Sequence, residues 1–192
     1  MKLIFFTLFS YLIGSIPTAF ILVKIFEGKD IRKIGSGNPG TTNVIRTTNI
    51  WLGIITFVVD FLKGCIPVLI TRHHYSQYLS LIGFFAVLGH TKSIFLKFNG
   101  GKGVATFFGT IFVISQELFF VTCVVFIITL LTTHIVSISS LTSICFSTFL
   151  VIFSKNFNFI SKLIFILIAA LITIRHRENI IRLIHKQENR IF

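Results

Sequence analysis

Three stretches of the 192-residue chain carry groups able to bind an anion or move a proton, each set in apolar surroundings. At residues 96–103, Leu-Lys-Phe-Asn-Gly-Gly-Lys-Gly places Lys102 among Gly100, Gly101 and Gly103, with Lys97 close by. Glycines let backbone N–H groups turn toward one point, and the apolar helix expected to follow would add its partly positive N-terminus. The stretch is not a nucleotide P-loop, because Gly103 stands where that motif needs Ser or Thr. Residues 34–49 gather Gly35, Ser36, Gly37, Asn38, Gly40, Thr41, Thr42 and Asn43, followed by Arg46. Short hydroxyl and amide groups supply donors there, and a guanidinium can clamp a phosphate with two hydrogen bonds. Residues 174–192 place His176 and Asn179 at i,i+3, one face of a helix. Histidine can carry a proton and asparagine can orient a substrate oxygen. Around them Arg175, Arg177, Arg182, Lys186 and Arg190 form a basic amphipathic tail suited to an anionic membrane surface.

The elements that position these groups must be membrane helices. The chain is 54% hydrophobic and 12% charged, with a mean hydropathy of +0.90. Soluble domains carry roughly 25% charged residues, so there is too little polar surface to coat a globule. An all-α, polytopic helical membrane protein follows, with one domain over residues 1–192. Apolar runs at about 3–26, 51–70, 78–95, 104–115, 118–134, 136–153 and 160–174 allow seven crossings, with five as the alternative. The first run lacks a convincing small-x-small cleavage site and reads as a retained span rather than a signal peptide.

Charge orients the chain. Thirteen of the 18 Lys and Arg residues fall within residues 24–46, 91–103 and 175–190, which seven crossings put on one face. Positive residues favour the cytoplasmic side, which leaves the N-terminus outside and the C-terminus cytoplasmic. Net charge is +12, but no nucleic-acid fold motif accompanies it, so membrane lipid and anionic substrates are the expected partners. Asp60 and Lys63 lie at i,i+3 inside the second run, where ionisable groups are costly unless paired or functional. Cys65, Cys123 and Cys145 sit singly within apolar runs and suit neither a disulfide framework nor zinc.

Absences narrow the chemistry. No histidine is followed five positions on by aspartate, so the H-x4-D pair of the common acyl-CoA acyltransferases is missing. There is no G-x-S-x-G elbow and no His, Cys or carboxylate cluster for a metal, and no cofactor is expected. Two classes remain: an enzyme acting on phosphate-bearing substrates, or a phosphate or organophosphate transporter. A transporter would set polar groups on both faces and near the midplane, often within an internal repeat, and no repeat is visible.

The three stretches resemble, in order, the three motifs of the bacterial acyl-phosphate:glycerol-3-phosphate acyltransferase family (PlsY). The matching segments are GSGNPGTTN with the following Arg, GH…FLKFNGGKGVAT, and RHRENIIRLIHKQE, spanning residues 35–188. The resemblance implies transfer of a fatty acyl group from acyl phosphate to the sn-1 hydroxyl of glycerol 3-phosphate, giving lysophosphatidic acid and phosphate. This is the first acylation of phospholipid synthesis, at the cytoplasmic face of the bacterial cell membrane. It also implies a hand-over from the enzyme that forms the acyl phosphate. By motif position, Gly100, Gly101, Lys102 and Gly103 bind glycerol 3-phosphate and Arg46 is a further binding residue, while Lys97, Asn38, Thr41 and Asn43 are added as binding candidates by their residue types and placement. Ser36, His176 and Asn179 take catalytic roles, and Glu188, Asp60 and Lys63 structural ones. The chain departs from the family pattern at Lys92-Ser93, where Phe-Pro is usual. The proton of the attacking hydroxyl goes either to His176 or to the leaving phosphate.

Overall fold

The computed structural model describes residues 2–190; Ile191 and Phe192, the end of the expected basic tail, lie outside the described residues. All the regular elements among those residues are α or 3-10 helices, as the all-α expectation has it, and no strand occurs among them. The helices are α1 (Lys2–Ser15), α2 (Thr18–Glu27), α3 (Thr41–Thr47), α4 (Ile50–Thr71), α5 (Leu79–Thr91), α6 (Val104–Ile114), α7 (Gln116–Thr133), α8 (Val136–Phe153), α9 (Phe159–Arg175) and α10 (Arg177–Ile184).

The expected apolar runs are all helical, but their lengths differ in consequence. Five stretches are long and apolar enough to cross a membrane: residues 2–27, 50–71, 76–96, 116–133 and 136–153. The α9–α10 pair, bent by 60°, would make a sixth. With 11 residues, α6 is too short to cross alone, since a helix rises about 1.5 Å per residue. Outward-facing Phe5, Trp51, Phe120 and Phe153 are each more than 60% exposed, a surface that matches hydrocarbon rather than water.

The chain divides into two compact units, Met1–Val113 and Ile114–Phe192. In the first, α1 and α5 pack backbone against backbone. A Cβ at Gly14 would lie 2.1 Å from the Ala86 carbonyl oxygen, and one at Gly89 would lie 2.1 Å from that of Tyr11. Ser10 Oγ adds a hydrogen bond to the Ile82 carbonyl at 2.7 Å. Lipid tails are as apolar as leucine, so membrane helices associate through this close packing and polar contacts rather than through apolarity. Gly64 of α4 and Gly109 of α6 meet the facing backbone in the same way.

The first span is interrupted. Pro17 has no N–H, so α1 stops and α2 begins anew after a gap of two residues. The carbonyls at this break find polar donors from distant segments: Ser93 Oγ, just past α5, donates to Ser15 O at 2.5 Å, and Lys63 Nζ of α4 donates to Ile16 O. In the second unit, α7 and α8 form a hairpin turned at His134, whose φ of 59° is left-handed. Asn158 Oδ1 caps α9 by accepting from Ser161 N at 2.8 Å.

Candidate active site

The first stretch is a loop tied to α3 and organised around Asn43. Ile31 and Val44 are fully buried with Ala19, Val23 and Leu52, which fastens the loop to α2 and α4. Asn43 is itself buried. Its Oδ1 accepts from Ser36 N at 2.9 Å, and its Nδ2 donates to Ile31 O at 3.3 Å and Ile34 O at 3.1 Å. A residue expected to bind substrate therefore has its side-chain amide engaged in holding the loop. A Cβ at Gly35 would lie 2.3 Å from that same Oδ1, so the amide and the left-handed glycine are fitted to each other. Ser36 is exposed, with Oγ accepting from Asn38 N at 3.4 Å. Arg46 is exposed on α3, and Thr41 and Thr42 open the same helix.

At the loop's rim Arg32 reaches both oxygens of Asp30, with Nε at 3.0 Å and Nη2 at 2.7 Å. These bonds lower the Asp30 pKa to about 2. Arg32 also lies over the Phe20 ring, 4.8 Å from its centroid.

The second stretch turns back onto the end of α5. Gly100 N donates to Thr91 O at 3.1 Å and Gly101 N donates to His90 O at 3.0 Å, which satisfies carbonyls left open by the helix end. These two N–H groups do not point outward, as a free anion cradle would require; they fix the loop. Gly103, at φ 90°, offers its carbonyl to Phe107 N and so starts α6. Lys102, half-buried, lies between the fixed glycines and the first turn of α6. Lys97 and Phe98 are exposed and hold left-handed φ of 52° and 62°.

Both stretches reach one small cavity in the first unit. Pro39 lines it from the first loop and Gly100 and Gly101 from the second, with Asp60, Lys63 and His90 beneath them. Asp60 and Lys63 pair as their spacing implies, at 2.6 Å, and both are buried. Sequence reasoning missed Ser15 and Thr18, whose buried hydroxyls have no hydrogen-bond partner and line the same cavity. The signal was available in Gly-Ser-Ile-Pro-Thr, a polar, proline-broken segment inside an apolar run.

The third stretch belongs to the second unit. His176 is buried where α9 ends and α10 begins. Its Nδ1 is 2.8 Å from Ile172 O, and since a carbonyl only accepts, Nδ1 carries the proton. A neutral ring therefore keeps its lone pair on Nε2, the atom able to take a proton. Glu188 gathers the rest. Its Oε1 accepts from Asn179 Nδ2 at 2.5 Å and Ser137 Oγ at 2.9 Å, and its Oε2 from Arg182 Nε at 2.7 Å. Burial pushes the Glu188 pKa up, but these three hydrogen bonds outweigh it and hold the carboxyl below its ordinary value. The roles of Ser137 and Arg182 were not visible from motif spacing.

Comparison with known proteins adds context to this geometry. A family model for glycerol-3-phosphate acyltransferase matches residues 4–186. The glycerol-3-phosphate acyltransferase of Pelagibacter ubique is 44% identical over 99% of this chain and 98% of its own length. That of Aquifex aeolicus is 40% identical over 99% of this chain and its whole length. A crystal structure of PlsY (YgiH), an integral membrane glycerol 3-phosphate acyltransferase in its glycerol 3-phosphate form, is 36% identical. It covers all of this chain and 96% of its own, with a TM-score of 0.95. The lysophosphatidic acid form of PlsY superposes with a TM-score of 0.91.

Proposed function

The chain belongs to the glycerol-3-phosphate acyltransferase family, and on that premise we propose that this membrane enzyme takes its acyl group from a fatty acyl phosphate and delivers it to the sn-1 hydroxyl of glycerol 3-phosphate. The products are lysophosphatidic acid and inorganic phosphate. The observation that carries this reading is Lys102, held on a glycine loop that is itself bonded to the end of α5. A cation so fixed suits the phosphate of glycerol 3-phosphate, and the guanidinium of Arg46 suits a second phosphate.

An acyl phosphate is already activated, so no covalent enzyme intermediate is required. The glycerol oxygen attacks the acyl carbon, the bond from that carbon to the phosphate oxygen breaks, and the hydroxyl proton leaves with the phosphate or on Nε2 of His176. Positioning two anions and neutralising the departing charge supply the catalysis. The absence of the H-x4-D pair favours acyl phosphate over acyl-CoA as donor. Proton transfer to the leaving phosphate is our reading, with Ser36 and Asn179 holding geometry. His176→Gln then retains turnover within about tenfold of the parent, at the low end of what a general base contributes; near-total loss in a folded protein assigns the base to His176.

The distribution of basic residues supports a bacterial plasma membrane protein with its chemistry on the cytoplasmic face, N-terminus outside and C-terminus inside. The deciding assay supplies purified protein with palmitoyl phosphate and glycerol 3-phosphate and follows phosphate and lysophosphatidic acid together. Activity with palmitoyl-CoA in place of palmitoyl phosphate, or transport of glycerol 3-phosphate without acylation, overturns the proposal.

A further inference from the structure

We infer that the buried cluster Asp60–Lys63–His90 is a positioning element for the glycine loop, setting where Lys102 stands. Backbone hydrogen bonds attach the loop to α5 at two points, the carbonyls of His90 and Thr91. The side chain of His90 then fixes how closely it lies. A Cβ at Gly101 would be 2.2 Å from His90 Nε2, so the bare Cα of Gly101 rests against the imidazole. Gly100 lies equally close to the His90 carbonyl oxygen, 2.0 Å from where its Cβ would be. Any movement of the ring moves the loop.

The ring is in turn held from below. Its other nitrogen, Nδ1, is 3.8 Å from Asp60 Oδ1, too long for a direct hydrogen bond but close for a buried charge. Asp60 is fixed by Lys63, and Lys63 also donates to Ile16 O at the Pro17 break. One chain of contacts thus runs from the interrupted first span through α4 to the end of α5 and the loop. Ser93, just ahead of the loop, bonds to the same break through Ser15 O.

A packing role alone does not account for this arrangement. A charged pair inside an apolar helix is costly, and apolar residues of similar volume pack as well or better. What the pair supplies and an apolar substitute lacks is a fixed carboxylate facing the histidine on which Gly101 rests. None of the three residues is assigned to touch substrate; they act through the loop.

The kinetic half of the test rests on the proposed acyl transfer. His90→Ala is expected to raise KM for glycerol 3-phosphate on the order of tenfold to 100-fold while kcat and KM for acyl phosphate change less than about threefold. Gly101→Ala impairs activity because its methyl meets the ring. The double variant G101A/H90A then performs no worse than H90A alone, since the clash is gone. Additive losses, or a uniform fall in kcat, overturn the inference. The second half needs no substrate: amide hydrogen exchange across residues 97–103 of the protein in lipid nanodiscs. Exchange should quicken in H90A and in D60N/K63M, in which both members of the pair are replaced so that neither charge is stranded. Unchanged exchange in both variants overturns the inference even if acyl transfer is confirmed. Quickened exchange in a protein that transfers no acyl group upholds it and removes the proposed reaction instead.

Discussion

The two units hold their functional stretches by different means. In the first, the loop before α3 is organised by an uncharged amide, the Asn43 side chain bonding to main chain, and the glycine loop is bonded through its main chain to α5. In the second, the hub is a carboxylate: among the described residues, Glu188 bonds to the side chains of Asn179, Ser137 and Arg182. The first design fixes the path of the backbone and leaves Lys102 and Arg46 to supply charge. The second fixes side-chain directions and depends on its own ionisation. The Asn43-built loop should therefore resist pH changes that loosen the Glu188 hub.

The largest expected effect tests whether the backbone-built half carries the binding charge. Lys102→Ala should lower kcat/KM for glycerol 3-phosphate by about 10²–10³, the scale of removing one preorganised electrostatic contact. A loss below about tenfold would mean the loop serves another purpose.

Next in size is Asn43→Ala. It removes the donor of the buried Ile31 carbonyl and the partners of the partly buried Ser36 N–H and Ile34 carbonyl, at about 1–3 kcal/mol for an unsatisfied buried group, and should lower thermal stability similarly at pH 4 and pH 7. A strongly pH-dependent deficit would break the contrast between the hubs.

Glu188→Gln keeps size but removes the charge that three donors face. A loss of about 1.5–3 kcal/mol at neutral pH is expected from weakening charge-assisted bonds. The folded-state pKa of Glu188 lies below its ordinary 4.5, so its contribution is complete above that value and disappears as pH falls through the lowered one. Parent and variant stabilities, compared by denaturation from pH 7 downward, should therefore converge only in acid, below that ordinary 4.5. Convergence already near pH 6 would contradict the carboxylate as hub.

The smallest effect belongs to Asp30→Asn. Its partner Arg32 is 40% exposed on its side chain, so the ion pair is worth under about 1 kcal/mol despite its bidentate geometry. Its contribution is present above the ordinary 3.8 and lost only toward pH 2. A larger loss would show that the loop's rim, and not Asn43, governs its shape.

Much of this was legible in the chain. Seven apolar runs became helices because hydropathy and length are local properties. The Asp60–Lys63 pair followed from i,i+3 spacing, since both residues share one helix. What escaped depended on chain segments returning from a distance. The reach of Lys63 to Ile16, 47 residues away, has no sequence signature. Nor does the docking of Gly100 and Gly101 onto α5, which redirects N–H groups that composition alone would aim at a ligand. Asn43 looked like a binding donor because its surroundings were polar, yet three backbone groups claim its amide. Hydropathy summed over residues 3–26 concealed the break at Pro17, because both halves are apolar. Ser93, standing where the related family usually has proline, supplies a hydroxyl to that break that proline could not.

The break also bears on how the chain enters the bilayer. With 14 and 10 residues, α1 and α2 are about 21 and 15 Å long, and neither spans a hydrocarbon core of about 30 Å by itself. Early in synthesis the first span would lack the long-range donors of its break, since Ser93, which donates to Ser15 O, and Lys63, which joins Thr18 N–H at Ile16 O, are made much later. Its stable insertion must therefore wait for α4 and the segment after α5, making assembly order a property of the sequence. A nascent chain arrested after residue 49 should hold its first span less firmly than one extended through residue 96, as alkaline extraction would register; equal retention would refute this order.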